Sequence, residues 1–301
     1  MTARRYATSH AWKQAIEESL RKATATGPAF ARRRQVLVYH RFLARVVAAF
    51  GEAVTLKGGL VLECRSPRAR FTQDVDLCMV GPPGDMFTRL QAAGILDLSD
   101  HMVFDVRPDA VHPEIKIEGM KHVGLRFRVT CMLAEKIYGR PFGVDVVFGE
   151  PTFGKPDAVV VKDLLAFAGI PPPRLLLYPI ESHLADKLHA YTMPRARPNS
   201  RVKDLPDMAL LATIRPLEGK ALRMVMDQSF AFRSTHQLPA RFPDAPPSWG
   251  AVYDAMARDE QLAWPTLAEV TTAVRAFLDP VLAGSLDAEW VPAEWVWRAR
   301  G

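Results

Sequence analysis

The stretch FTQDVDLCMV, from Phe71 to Val80, decides how the surrounding chain must fold. Val75, Leu77 and Met79 alternate with Asp74, Asp76 and Cys78, the period-two pattern of a strand with one face in a core. The two carboxylates then point the same way, roughly 6 to 7 Å apart. An Asp-x-Asp pair is common on solvated edges and loops. What distinguishes this one is the apolar opposite face, which makes it a packed strand whose acidic face must still be satisfied. Two carboxylates so placed can share magnesium ions with a triphosphate.

Working outward, Val54-Thr55-Leu56 is a short β-type run, followed by Lys57-Gly58-Gly59, where missing side chains let backbone approach a ligand or turn tightly into a helix. Two helices are predicted before it. The first carries Trp12, Ile16 and Leu20 at intervals of four after a Ser9 cap, and the second runs from about Ala29 to Phe50 and stops at Gly51. Further strands are expected near Val103–Val106, Leu125–Thr130 and Phe142–Phe148. The fold class is α/β (α+β), a mixed sheet with helices before and between its strands. Gly169 and Pro171–Pro173 break the chain, so a boundary is placed near residue 170. The expected division is a sheet-bearing domain over 1–170 and a mainly helical domain over 171–301.

A third carboxylate, Asp145, lies in FGVDVVFGE, where Val144, Val146 and Phe148 alternate against it. An acid in such a strand is costly to bury unpaired. It is either the ion-pair partner of an arginine or, if its strand neighbours the first, a member of a three-carboxylate cluster with Asp74 and Asp76. Pro179 to Met193 has helical periodicity, with Ile180, Leu184, Leu188 and Tyr191 on an apolar stripe and Ser182, Asp186 and His189 facing away. Lys187 falls inside the stripe, where it must snorkel out or extend its ammonium into a polar cavity as a phosphate clamp. In RVKDLPDMALL, Asp204 and Asp207 are three apart and can share a helix face; either they complement a helix N-terminus, or Asp204 orients Lys187 or a nucleotide, with Asp207 in reserve. His183 and His189 lack a metal-ligand set, and Cys64, Cys78 and Cys131 lack paired spacing, so these are expected to be ordinary packed residues.

With 301 residues, 49% hydrophobic and 24% charged, the composition is that of a globular protein. Neither a stretch of roughly 20 apolar residues nor a secretory signal is present, so the expectation is a cytoplasmic protein with no membrane span. A net charge of +6 favours a polyanionic partner. Arg65, Arg68 and Arg70, and then Arg195, Arg197, Arg201 and Lys203, are the local concentrations expected to hold such a partner.

Taken in order, LKGGLVLECRSPRARFTQDVDL, FGVDVVFG, ESHLADKLHA and RVKDLPDMALL resemble the AbiEii/AbiGii family of nucleotidyltransferase-like toxins, which includes MenT-type members. The resemblance spans roughly residues 55 to 210, with Arg70 and Thr72 in the family's Arg-x-Ser/Thr-x-Asp-x-Asp arrangement. It implies a polymerase β-type nucleotidyltransferase fold followed by a helical region. It also implies a toxin that uses a nucleoside triphosphate with Mg2+ or Mn2+ and is opposed by an antitoxin encoded beside it. MenT-type members add nucleotides to the 3′ acceptor end of tRNA and so block aminoacylation. Carried over by motif, Asp74 and Asp76 are expected metal ligands with Asp145 as a weaker third, Lys187 the nucleotide-contacting lysine and Asp204 the acid of the last motif. Lys57, Gly58, Gly59, Arg70 and Thr72 are expected to line the nucleotide site. The wider superfamily has Gly-Ser where this chain has Gly58-Gly59, so Thr72 or backbone amides are expected to replace the serine donor. A protein hydroxyl as acceptor, a non-catalytic binding module and an ordinary buried ion network are the competing readings.

Overall fold

In the computed structural model, described over residues 6–24, 27–66, 69–116, 123–196, 198–284 and 286–300, two helices lead into the sheet. Helix α1 covers Ser9–Ala23 and buries Trp12, Ile16 and Leu20. Its cap is Thr8 rather than Ser9: Thr8 is extended, and its hydroxyl accepts from the Ala11 amide at 3.2 Å. Helix α2, Pro28–Phe50, has proline in its first turn and ends at Gly51, whose φ of +56° suits glycine.

The sheet strands are β1 (Val54–Lys57), β2 (Asp74–Met79), β3 (Val103–Pro108), β4 (Glu114–Lys116), β5 (Val123–Leu133), β6 (Lys136–Ile137), β7 (Phe142–Phe148), β8 (Asp157–Val160) and β9 (Arg174–Leu177). Helix α3 (Gly58–Arg65) follows β1 directly, and α4 (Met86–Gly94) precedes β3. The strand order is β3-β5-β7-β2-β1-β9-β8, with β4 and β6 against β5. The sheet is mixed: β2 runs parallel to β7 and β1 parallel to β9, while the other pairs are antiparallel. Val75, Leu77, Val144 and Val146 enter a core shared with α1, α2 and α4. Each such side chain contributes about 1.5–3 kcal/mol on full burial. Their alternates are thereby fixed on the opposite face.

That opposite face is covered by α5 (Ile180–Thr192), α6 (Asp204–Ala212) and α7 (Gly219–Arg233), followed by α8 (Gly250–Asp259) and α9 (Leu267–Leu282). A small sheet of β10 (Leu217–Glu218), β11 (Ala288–Val291) and β12 (Val296–Ala299) closes the second core, where the Trp290 indole donates to the Ala212 carbonyl at 2.8 Å. The Pro171–Pro173 break falls within the stretch that supplies the first core. It precedes β9, whose Leu175 and Leu177 are buried in the first core, and the cores divide between Tyr178 and Ile180. Leu62 and Ala69 cross that division and pack into the second core. Among the described residues no helix is long and apolar enough to cross a membrane. All three cysteines are free, with Cys78 and Cys131 buried.

Candidate active site

The register of three strands assembles the acidic face. Asp76 stands opposite Lys57 on β1 and opposite Asp145 on β7, while Asp74 stands opposite Gly143. Both β2 carboxylates lie over bare backbone. A β-carbon at Gly143 would be 2.6 Å from Asp74 Oδ1, and one at Gly58, whose φ is +68°, would overlap Asp76 Oδ2. Glycine at both positions is therefore a condition for these carboxylate orientations. Gly59 is similarly constrained, because a β-carbon there would be 2.8 Å from Thr72 Oγ1. The Thr72 hydroxyl thus occupies the space that a serine side chain at 59 would need.

Asp76 faces a cleft of about 440 Å³ between the sheet and the helical domain. Burial, reinforced by Asp145 and Asp74, raises its pKa to about 6. Asp145 does not join it in a three-acid cage. Arg126, its partner across the β5–β7 pair, donates from Nε and Nη2 to the two carboxylate oxygens, each at 2.7 Å. Of the two sequence alternatives for Asp145, the arginine ion pair is the arrangement seen. No group of three or more His, Cys, Asp or Glu side chains among the described residues is placed to hold a metal ion.

The opposite wall is α5, with the first turn of α6. Lys187 does not snorkel: it is only 8% exposed, and its ammonium donates to Asp207 at 2.7 Å and to Asp204 at 3.1 Å. Burial pulls its pKa down, but Asp207 and Asp204 outweigh burial and hold it above the ordinary lysine value. Asp207, in reserve on sequence grounds, is the hub, since it also takes Arg70 Nε and Nη2 at 2.9 and 2.8 Å. Against its own burial, Lys187 and Arg70 hold its pKa at about 2. Asp204 Oδ2 has no hydrogen-bond partner among the described residues, with Arg201 Nη1 3.9 Å away.

A second ion cluster lies beside the first. Lys57 contacts Glu150 and Asp186, the latter at 3.1 Å, and Arg233 contacts the same two carboxylates, Asp186 at 2.8 Å. Lys57 also lies 4.4 Å from the Tyr178 ring centroid. Asp186 and His189 do face away from the apolar stripe of α5, yet toward the cleft, whose wall they form together with Arg233 of α7. His189 Nε2 is 2.7 Å from Thr235 Oγ1, and neither ring nitrogen of buried His183 has a partner among the described residues. Sequence reasoning missed Arg126, Glu150, Asp186 and Arg233 as cleft residues. Their only available signal was position: Glu150 ends the quoted FGVDVVFGE, and Arg126 alternates with buried residues on an apolar strand.

The basic groups divide as well. Arg65 pairs with Asp157 and Arg70 with Asp207, so these guanidinium groups are engaged inside the protein and do not form the expected surface for a polyanion. Arg195 and Arg201 line the cleft, Lys203 is exposed, and Arg68 and Arg197 lie outside the described residues.

A magnesium ion is compatible with this donor set. It prefers hard oxygen ligands and is commonly held by one or two carboxylates plus substrate phosphates, without a complete protein cage. The glycine-cradled Asp74 and Asp76 supply that pair.

Comparisons with known proteins agree with the geometry. The family profile described as "Nucleotidyl transferase AbiEii toxin, Type IV TA system" matches residues 41–290. Among solved structures, the chain is similar to MenT4, a nucleotidyltransferase toxin from Mycobacterium tuberculosis H37Rv, at 16% identity and a TM-score of 0.52, covering 89% of this chain and 98% of that one. JHP933 from Helicobacter pylori matches at 16% identity and a TM-score of 0.38, covering 68% and 78%. No curated protein matches the chain. The family match takes in the Asp74/Asp76 strand, Asp145 and the Lys187 network together, and the chain belongs to the AbiEii nucleotidyltransferase toxin family of type IV toxin–antitoxin systems.

Proposed function

We propose that this chain transfers a nucleoside monophosphate from a nucleoside triphosphate to the 3′ acceptor end of tRNA, which blocks aminoacylation and hence translation, and that a cognate antitoxin opposes it. The observation that carries the reading is the cleft itself, where the glycine-cradled Asp76 on one wall faces the buried, charged Lys187 on the other.

Asp74 and Asp76 would hold Mg2+ or Mn2+, which when bound neutralises phosphate charge and lowers the pKa of an attacking hydroxyl. Lys187, kept protonated by Asp204 and Asp207, provides a point charge for the β or γ phosphate. Gly58, at the β1–α3 turn, brings backbone to the cleft wall as a donor, with Gly59 next in the chain and the buried Thr72 hydroxyl packed against Gly59. The RNA 3′-hydroxyl gives up its proton to water or a cleft carboxylate, its oxygen bonds to the α phosphorus as the bond to the pyrophosphate oxygen breaks, and the electron pair leaves with pyrophosphate. Arg195 and Arg201, at the cleft, are placed to hold the RNA backbone.

Incubating the purified chain with each α-labelled nucleoside triphosphate, total tRNA and either Mg2+ or Mn2+ tests the proposal. Label is expected in tRNA. Label in a protein band and not in RNA would transfer the same chemistry to a protein hydroxyl, and no transfer of any nucleotide would refute the reading.

A further inference from the structure

Arg126 differs from the other paired cations of the cleft in how it is held. Lys187, Lys57 and Arg233 have side chains 10–13% exposed, each between two carboxylates. Among the described residues Arg126 has one carboxylate partner, Asp145, and its side chain is 38% exposed. It also borders both the main cleft and an adjoining cavity lined by residues from Val111 to Ile115, so the guanidinium has space on either side of its present position.

Its partner is equally particular. Asp145 is paired in register with Asp76 on the adjacent parallel strand, close enough that its charge helps disfavour ionisation of Asp76. A carboxylate there would be a natural ligand for the cation that Asp76 holds, but both of its oxygens are taken by the guanidinium. Arginine binds phosphate with the same two-pronged geometry it uses for carboxylate. A triphosphate entering this cleft therefore competes with Asp145 for Arg126.

We infer that Arg126 is a nucleotide-sensing residue: without nucleotide it satisfies Asp145, and an arriving triphosphate draws its guanidinium away and frees Asp145 as a ligand for the divalent cation. The inference rests on the proposed metal and nucleotide site and adds an order of events to it. Metal coordination by Asp145 then follows nucleotide binding, which keeps the nucleotide-free protein from holding a complete metal site. Arg126 is a phosphate-binding and positioning residue in this scheme. A guanidinium is a cation at any ordinary pH, so Arg126 stays charged whether it holds Asp145 or phosphate.

Mn2+ binding to the full chain, followed by electron paramagnetic resonance with and without a non-hydrolysable nucleoside triphosphate analogue, reads this directly. Without nucleotide, Arg126→Gln is expected to bind Mn2+ roughly tenfold more tightly than wild type, the size of one charge-assisted hydrogen bond, and Arg126→Gln/Asp145→Asn should lose that gain. In metal-free buffer, Arg126→Gln should bind the analogue more weakly by a similar factor. Arg126→Lys keeps the charge but loses the fork, and is expected to fall between. Thermal melting checks that each variant is folded. Unchanged Mn2+ and analogue binding in Arg126→Gln overturns the inference. Asp76→Asn separates the two levels: if it abolishes Mn2+ binding while Arg126→Gln is silent, only the exchange is wrong, whereas if it also has no effect, the metal site itself has been misread.

Discussion

Gly58 lies so close beneath Asp76 that a β-carbon built on it would overlap the Oδ2 atom. The β1–α3 turn and the acidic strand are therefore a single unit: the turn must be bare for the carboxylate to reach the cleft. Its φ of +68° adds a second reason for glycine. Gly58→Ala is expected to displace Asp76 and lower transfer by about 100-fold or more, since a displacement of roughly 1 Å in a reacting group is enough for that. Steady-state transfer rates checked beside a thermal melt should show activity lost well before the fold.

Asp207 supports the opposite wall. With Arg70 at 2.8 Å and Lys187 at 2.7 Å, it is the only fully buried member of their network. Removing its charge leaves Arg70 without its two-pronged carboxylate partner and Lys187 with Asp204 alone. Asp207→Ala should destabilise the protein by about 3–5 kcal/mol, measured by urea unfolding. Asp204→Asn, which leaves Lys187 its closer partner, should cost distinctly less while still reducing transfer.

The raised pKa of Asp76 makes a prediction about pH. Its folded value, about 6, exceeds the ordinary 3.8, so between those values the folded state holds this proton more tightly than the unfolded state. Its contribution to stability therefore falls as pH rises from 4 to 6. In EDTA, Asp76→Asn should melt several degrees above wild type at pH 7, and the difference should vanish near pH 4. The same proton competes with metal, so Mn2+ affinity should weaken as pH drops below about 6.

Arg195 and Arg201 line the cleft, whereas Arg65 and Arg70 are engaged by Asp157 and Asp207. Arg195→Glu and Arg201→Glu should raise KM for tRNA and reduce the slope of log affinity against log salt by roughly 1 for each phosphate no longer neutralised. Nucleotide binding in the absence of RNA should change much less. Equal weakening of both would place these arginines on the nucleotide.

The sheet side of the site was legible in sequence because its signals are local. Alternation at Phe71–Val80 and Phe142–Phe148 gives three acidic strand positions, Asp74, Asp76 and Asp145, and the strands Val103–Pro108, Val123–Leu133 and Phe142–Phe148 lie where their apolar residues indicate. The helix carrying Lys187 was equally legible from its stripe. What periodicity cannot carry is which neighbour a polar residue meets. Asp186 points off the stripe whether that direction is solvent or cleft, and only the tertiary placement of α5 and of Arg233 on α7 along the cleft makes it the latter. Arg70 and Asp207 are far apart in sequence, so their pairing depends on how the two domains dock. The Pro171–Pro173 break interrupts the chain, yet the short Leu175–Leu177 run after it still packs in the first core, because it pairs with distant β1 and with β8.

The most direct test of the central claim is made in cells. Inducible expression in bacteria of the wild type and of Asp76→Asn, followed by acid-gel analysis of tRNA and sequencing of its 3′ ends, distinguishes transfer from mere binding. The account predicts extended, uncharged tRNA with the wild type and normal charged tRNA with Asp76→Asn. Wild-type expression that arrests growth while leaving every tRNA 3′ end unextended and aminoacylated would contradict it.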